Sequence, residues 1–342
     1  MIRLSQIWVL YLLIFGMIPL ILSIRSYVWG KGGYAFLNRT NIEVVKGLSM
    51  LLIIFQSLCE RLVEPNLVTT WISKSGVLGV TLFLFCCGFE TMTQYVSNRR
   101  YLRGFLIHQV IRIVCVFLVC NMMGALVNIF VGGHDGFMDV FGDTIVFHFA
   151  DGTSAWLIGA LLYFYVVFYV SYRTKYKMNL LFWMSVVYIG FSLIMGWNVS
   201  VAFCFLIGVF FAEYKKYLFR FMRDYLSVLF IGSLLVFSSV YTLYLKEFSF
   251  IALLLPYLFL VFVLCALMKL QCRSRVLTMI GQGAIELYLV HELLLVLVLG
   301  YSEARSGAFL ILFWLVSIVV AVLIKSASYR MFFVPKQQRA LK

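Results

Sequence analysis

The sequence predicts an all-α polytopic membrane protein with eleven transmembrane helices, and three observations predict it. First, 63% of its 342 residues are hydrophobic and only 12% are charged, with mean hydropathy +1.01. A soluble domain of this size cannot bury so much apolar surface. Second, Leu, Ile, Val and Phe fill one segment after another of roughly 20 residues, the length a helix needs to cross about 30 Å of hydrocarbon, without the alternation of barrel strands. Third, the Lys and Arg behind the +14 formal charge fall in short clusters between those segments, as in cytoplasmic loops. The clusters are topology signals, and no nucleic-acid partner is expected.

The first helix, 6–24, reads "IWVLYLLIFGMIPLILSI"; no small-residue cleavage site follows it, and Arg25, Lys31 and Arg39 come next, so it is a retained span rather than a signal peptide. The second, 44–62, runs from that basic stretch to Arg61, and the third, 76–95, from Lys74 to the run Arg99, Arg100, Arg103. The fourth, 106–131, carries Arg112 at its start and ends at an acidic loop; the fifth, 154–172, closes at Arg173. Spans six and seven, 178–196 and 199–213, lie between Lys177 and Lys215. The eighth, 226–245, lies between Arg223 and Lys246, and the ninth, 248–268, ends at Lys269. The tenth, 276–300, follows Arg275, and the eleventh, 307–329, ends at Arg330.

With an outside N-terminus, 23 of the 28 basic residues lie in cytoplasmic loops, and only Arg3, Arg61, Lys74, Lys246 and Arg305 lie outside. The C-terminus is then cytoplasmic. The largest outer loop, "VGGHDGFMDVFGDTIVFHFADGTSA", has four aspartates and two histidines but is short, so any chemistry belongs in or at the membrane. Residues 1–40 read as an extra helix and basic loop, 41–332 as the membrane domain, and 333–342 as a basic tail. The eight cysteines show no C-x-x-C spacing and read as buried thiols; no metal site is expected.

Ionisable groups inside hydrocarbon cost some 2.5–3.5 kcal/mol on insertion scales, so each is a candidate site. In the second helix Lys46 and Ser57 share one face, eleven residues apart, with Glu60 nearby. In the third, Cys87, Glu90, Thr91 and Gln94 form a stripe, and in the tenth "GQGAIELYLVHELLL" gathers Glu286, His291 and Glu292. Plainer readings stand beside these: Lys46 snorkels, Ser57 bonds its own helix backbone, and Glu90 pairs with Arg99 or Arg100. His291, counted along an unbroken tenth helix, lies about 22 Å from its inner end, in the outer half of the bilayer.

"VVKGLSMLLIIFQSLCERL", "GVLGVTLFLFCCGFETMTQYVSNRRYLRGFLIHQVIRI", "SAWLIGALLYFYVVFYV" and "IGQGAIELYLVHELLL" resemble, in that order, the landmarks of the acyltransferase-3 family of integral membrane acyltransferases. The resemblance runs from about residue 41 to 330 and implies a bundle of about ten family helices, with the first helix extra. It further implies transfer of an acyl group, usually acetyl from cytoplasmic acetyl-CoA, to a hydroxyl of an extracytoplasmic glycan. Several landmarks differ here. Gln56-Ser57 stands where the family has histidine, "LFCCG" replaces the "FFLSG"-like signature, Gln109 replaces the first arginine of Arg-x-x-Arg, and Ala284 replaces a serine, while Lys46-Gly47, Tyr288 and His291 are kept. Neither glutamine nor an unassisted serine suits a general base near neutrality.

Two functions follow from the resemblance. In the first, a bacterial plasma-membrane O-acyltransferase uses His291 as base, oriented by Glu286 or Glu292, with Ser57 as an oxyanion donor. Arg99, Arg100, Arg103, Arg112 and Lys46 hold the acetyl-CoA phosphates, and Trp156, Tyr288 and Glu60 meet the substrate, an extracytoplasmic glycan or lipid-linked saccharide. In the second, a non-catalytic relative binds or translocates a glycan precursor as partner of polysaccharide synthesis machinery. A polymerase or flippase fits the helix count but not the landmark order. Membrane lipid surrounds the chain in every case.

Overall fold

The computed structural model of the chain describes residues 3–4, 7–23, 26–28, 37–62, 66–131, 156–246, 249–299, 304–305 and 307–333; the acidic outer loop expected at 132–155, the basic stretch 29–36 and the tail 334–342 lie outside them. The architecture is all-α. Helix α1 (Ile7–Tyr11) continues through a π turn (Leu12–Met17) into α2 (Ile18–Ser23), followed by α3 (Arg39–Glu60), α4 (Leu67–Ser73) and α5 (Gly76–Ser97). A 3₁₀ turn (Arg99–Arg103) and a π turn (Leu106–Ile111) lead into α6 (Arg112–Val131). Then come α7 (Trp156–Ser171), α8 (Lys177–Met195), α9 (Cys204–Glu213), α10 (Lys215–Asp224), α11 (Leu226–Leu245) and α12 (Leu255–Lys269). The last are α13 (Arg275–Gln282), α14 (Ala284–Leu299) and α15 (Gly307–Phe333). β pairing among the described residues is confined to two-residue bridges, Arg3–Leu4 with Ala304–Arg305 and Tyr27–Val28 with Leu270–Gln271.

Six described helical stretches are long and apolar enough to cross a membrane: Arg39–Glu60, Leu67–Ser97, Leu106–Met123, Lys177–Met195, Leu226–Leu245 and Ile251–Lys269. Shorter apolar helices cover Leu12–Ser23, Trp156–Ser171, Val199–Glu213 and Phe313–Ser326. The chain is therefore a multi-pass membrane protein. The second span starts earlier than its apolar run because Asn38 caps it, its side chain accepting from the Asn41 amide at 2.8 Å. Ahead of α5, the short α4 is nucleated by a capping box: Asn66 accepts from the Thr69 amide at 3.0 Å while the Thr69 hydroxyl accepts from the Asn66 amide at 2.8 Å.

Two expectations need correction. The tenth span is not one helix, since Gly283 separates α13 from α14. His291 then lies seven residues after Ala284, only about 10 Å of helical rise, so the 22 Å depth counted along a continuous helix no longer follows. The basic stretch before the eighth span is also not a plain loop but the helix α10.

The chain packs as two units interleaved in sequence. One takes residues 11–99 and 178–282 and the other 1–10, 100–177 and 283–342; they are called here the lysine unit and the histidine unit. In the lysine unit the helices approach to backbone contact at glycines. A Cβ on Gly88 of α5 would strike the Phe205 carbonyl of α9, and one on Gly208 of α9 would strike the Phe85 carbonyl. Gly47 of α3 and Gly281 of α13 make a second such pair, against the carbonyls of Leu277 and Glu43. Small residues are what let membrane helices pack this closely, where lipid offers no hydrophobic drive. Ile42, Val45, Phe85, Phe89, Phe219, Leu264 and Met268 build the adjoining core from α3, α5, α10 and α12. In the histidine unit, fully buried Phe105 packs edge-on or tilted against Tyr101, Tyr165 and Phe168 at 5.4–5.8 Å between ring centroids.

Candidate functional site

Two buried polar clusters stand out, one in each unit. In the lysine unit, α3 places Glu43 and Lys46 one turn apart, and α5 places Glu90 opposite them. Lys46 Nζ lies 2.9 Å from Glu43 Oε2 and 2.9 Å from Glu90 Oε2, and the lysine side chain is only 12% exposed. The Gly47–Gly281 contact presses α13 against the same stretch of α3. The ammonium is therefore enclosed between two carboxylates rather than snorkelling to an interface. Glu90 pairs with Lys46, not with Arg99 or Arg100 as the plainer reading had it.

Eleven residues further along α3, Gln56 and Ser57 are half-buried and Glu60 is exposed. The Gln56 amide donates to Glu60 Oε1, and its own carbonyl oxygen fills the space that a Cβ on Gly76 would need. The Ser57 carbonyl accepts from Arg61 at 3.5 Å. Positions 56–57 thus present an amide and a hydroxyl, and no group that titrates near neutrality.

The histidine unit holds the second cluster on α14, which packs against α6 and α15. His291 is completely buried and Glu286, Tyr288 and Glu292 are nearly so. His291 Nδ1 lies 3.2 Å from the Leu287 carbonyl one turn back, and Nε2 lies 3.3 Å from Glu292 Oε1. Both neighbours are acceptors, and the tautomer in which Nδ1 donates to Leu287 is the one that leaves Nε2 basic. The Tyr288 ring sits 5.5 Å from the imidazole, centroid to centroid. Of the two carboxylates expected to orient His291, Glu292 is the one at its ring. Glu286 lies buried in the first turn of α14.

The remaining candidates lie on other elements. Arg99, Arg100 and Arg103 are exposed in one 3₁₀ turn, and Arg112 opens α6 half-buried. Arg99 donates to the Tyr95 hydroxyl at 3.0 Å and lies over that ring at 4.9 Å. Trp156 is half-buried at the start of α7. Ser57 belongs to the lysine unit and His291 to the histidine unit. All eight cysteines are unbridged, and all but Cys115 are buried.

Sequence reasoning passed over Glu43, although its spacing three before Lys46 is the signal for a same-face ion pair. It also passed over Asn121, a buried amide in the apolar run of α6 whose Nδ2 has no partner among the described residues. A family model described as an acyltransferase domain, acyltransferase-3, matches residues 39–330. No curated protein and no solved structure matches the chain.

Proposed function

The chain belongs to the acyltransferase-3 family, and on that premise we propose that it moves an acetyl group from cytoplasmic acetyl-CoA to a hydroxyl of an extracytoplasmic glycan or lipid-linked saccharide. The observation that carries the reading is the buried His291, whose Nε2 faces a carboxylate instead of the backbone. In this reaction Nε2 takes the proton of the acceptor hydroxyl as its oxygen attacks the thioester carbonyl. The imidazolium so formed is balanced by Glu292 at 3.3 Å. Collapse of the tetrahedral intermediate expels coenzyme A thiolate, which takes up a proton, and the ester remains on the acceptor. Arg99, Arg100, Arg103 and Arg112 offer guanidinium forks suited to the donor's phosphates. The skewed distribution of basic residues supports placing those forks on the cytoplasmic side of a bacterial plasma membrane.

Lys46 is a poorer phosphate ligand than its charge suggests, because Glu43 and Glu90 already neutralise it. Ser57 and His291 belong to different units, so the assignment of the base rests on His291 alone.

A second reading is favoured by one observation: Gln56, tied to Glu60 and wedged against Gly76, occupies the family's histidine position with a group that cannot act as a base. In that reading the chain binds a glycan precursor without acylating it. Acetyl transfer measured for wild type, His291→Ala and Ser57→His in one assay separates the two. Activity lost in His291→Ala supports the enzyme. Wild-type activity that survives the substitution overturns the role of His291, and a silent wild type revived by Ser57→His establishes the second reading.

A further inference from the structure

The helix α10, "KKYLFRFMRD", is not used by either polar cluster. It is joined by Tyr214 alone to the short apolar helix α9 and by Tyr225 alone to the membrane span α11, so it is held at one end of that span. It therefore runs at the membrane interface. Its surface divides into three stripes. Phe219 and Met222 are buried in the core shared with α3, α5 and α12. Lys215 belongs to that inner side: its Nζ donates to the Leu37 carbonyl at 3.3 Å and lies 5.6 Å from the centre of the Phe89 ring.

A second stripe is aromatic and uncovered. Tyr217 is 75% exposed and Phe221 57%, one turn apart, with the Phe221 and Tyr225 rings 5.4 Å apart. The third carries Lys216, Arg220 and Arg223, all exposed, within about 60° of one another around the helix at 100° per residue. Asp224, 3.6 Å from Arg223, and Glu213 at the end of α9 offset them in part, and the three cations outnumber these two carboxylates. Exposed aromatics next to a cationic stripe are the pattern of a helix whose rings enter the acyl boundary while its charges meet phosphate headgroups.

We propose that α10 is a docking surface for anionic phospholipid, with Tyr217 and Phe221 seated among the acyl chains and Lys216, Arg220 and Arg223 holding the headgroups. Charge selects the occupant: a net cationic stripe discriminates between anionic and zwitterionic lipid, and the aromatic stripe alone does not. Phe219 and Met222 tie α10 to the core containing Ile42, Phe85 and Phe89, so lipid bound there stabilises the lysine unit as a ligand does.

The test titrates phosphatidylglycerol, and separately phosphatidylcholine, into the full-length protein in detergent micelles and follows the unfolding midpoint. Wild type is expected to rise in midpoint with phosphatidylglycerol and to respond little to phosphatidylcholine. The combined variant Lys216→Gln, Arg220→Gln, Arg223→Gln is expected to need on the order of a hundredfold more phosphatidylglycerol for the same rise, and each single variant roughly fivefold more. The charge-conserving variant Lys216→Arg, Arg220→Lys, Arg223→Lys should behave as wild type. A wild type indifferent to phosphatidylglycerol, or glutamine variants that respond like wild type, overturns the proposal. A wild-type dimer lost in the glutamine variants would give this face to a second copy and overturn it as well.

Discussion

The two buried clusters solve the same problem in opposite ways. In the lysine unit, a cation on α3 is held at 2.9 Å by a carboxylate on its own helix and by one on α5. Charge is cancelled across a helix interface. In the histidine unit, His291 and Glu292 are neighbours on one helix, and the ring is fixed by its own backbone at Leu287. The imidazole and the carboxylate of that pair come from one helix. An ion pair that bridges helices serves to hold them, whereas an imidazole beside a carboxylate of its own helix carries the groups a proton transfer needs. The Lys46 cluster reads as architecture and the His291 cluster as chemistry.

The largest effect that can break this comparison is on catalysis. His291→Ala is expected to lower acetyl transfer by roughly 10²–10⁴-fold, the range that a positioned base supplies, while leaving the unfolding midpoint within a few degrees. Lys46→Met is expected to do the reverse. It strands the buried carboxylate of Glu43 and the half-buried one of Glu90, a loss of about 3 kcal/mol in stability. Adding Glu43→Gln and Glu90→Gln to Lys46→Met should recover most of that loss, because no charge is left uncompensated. A Lys46→Met protein as stable as wild type in detergent would show that the triad does not hold α3 to α5.

A smaller effect sharpens the histidine side. Under the proposed function the reacting nitrogen is Nε2, which is the one Glu292 faces. Glu292→Gln removes the countercharge of the imidazolium but keeps a side chain of the same shape. Transfer is expected to fall by about 1.5–3 kcal/mol in barrier, on the order of ten- to hundredfold, through kcat more than KM. A rate unchanged by Glu292→Gln would mean that the carboxylate only fills space.

The sequence made much of this legible. Apolar runs predict the six long apolar helices found among the described residues, because length is a term a bilayer enforces. The order of landmarks points to the family, and Lys46-Gly47 proves to be two features at once: the lysine meets Glu90, and the glycine lets α13 reach the α3 backbone. What was not legible depended on contacts between helices. Which carboxylate Lys46 would take was open until α5 was set against α3. Gly283 was not an obvious break, since a glycine inside a membrane helix is tolerated as often as it interrupts. Helix α10 was hidden because its charges dominate its composition, while Phe219 and Met222 show their role only once a core exists to receive them.

The smallest expected effect concerns Arg99, where stability and binding should part company. Its guanidinium lies over the Tyr95 ring at 4.9 Å and donates to that hydroxyl at 3.0 Å, yet the residue stays exposed. An exposed cation–π contact is worth only about 0.5–1 kcal/mol, so Arg99→Ala should barely move the unfolding midpoint. A guanidinium carries five N–H donors, and Tyr95 occupies one face of this one, so donors remain for phosphate. If Arg99 holds coenzyme A, the same substitution should weaken binding by about 1.5–3 kcal/mol, and Arg99→Lys, which keeps the charge but not the fork, should recover only part of it. Calorimetry of coenzyme A on the three proteins separates the roles. Equal affinity in all three would make Arg99 a cap on the end of α5 and leave the donor's phosphates to Arg100, Arg103 and Arg112.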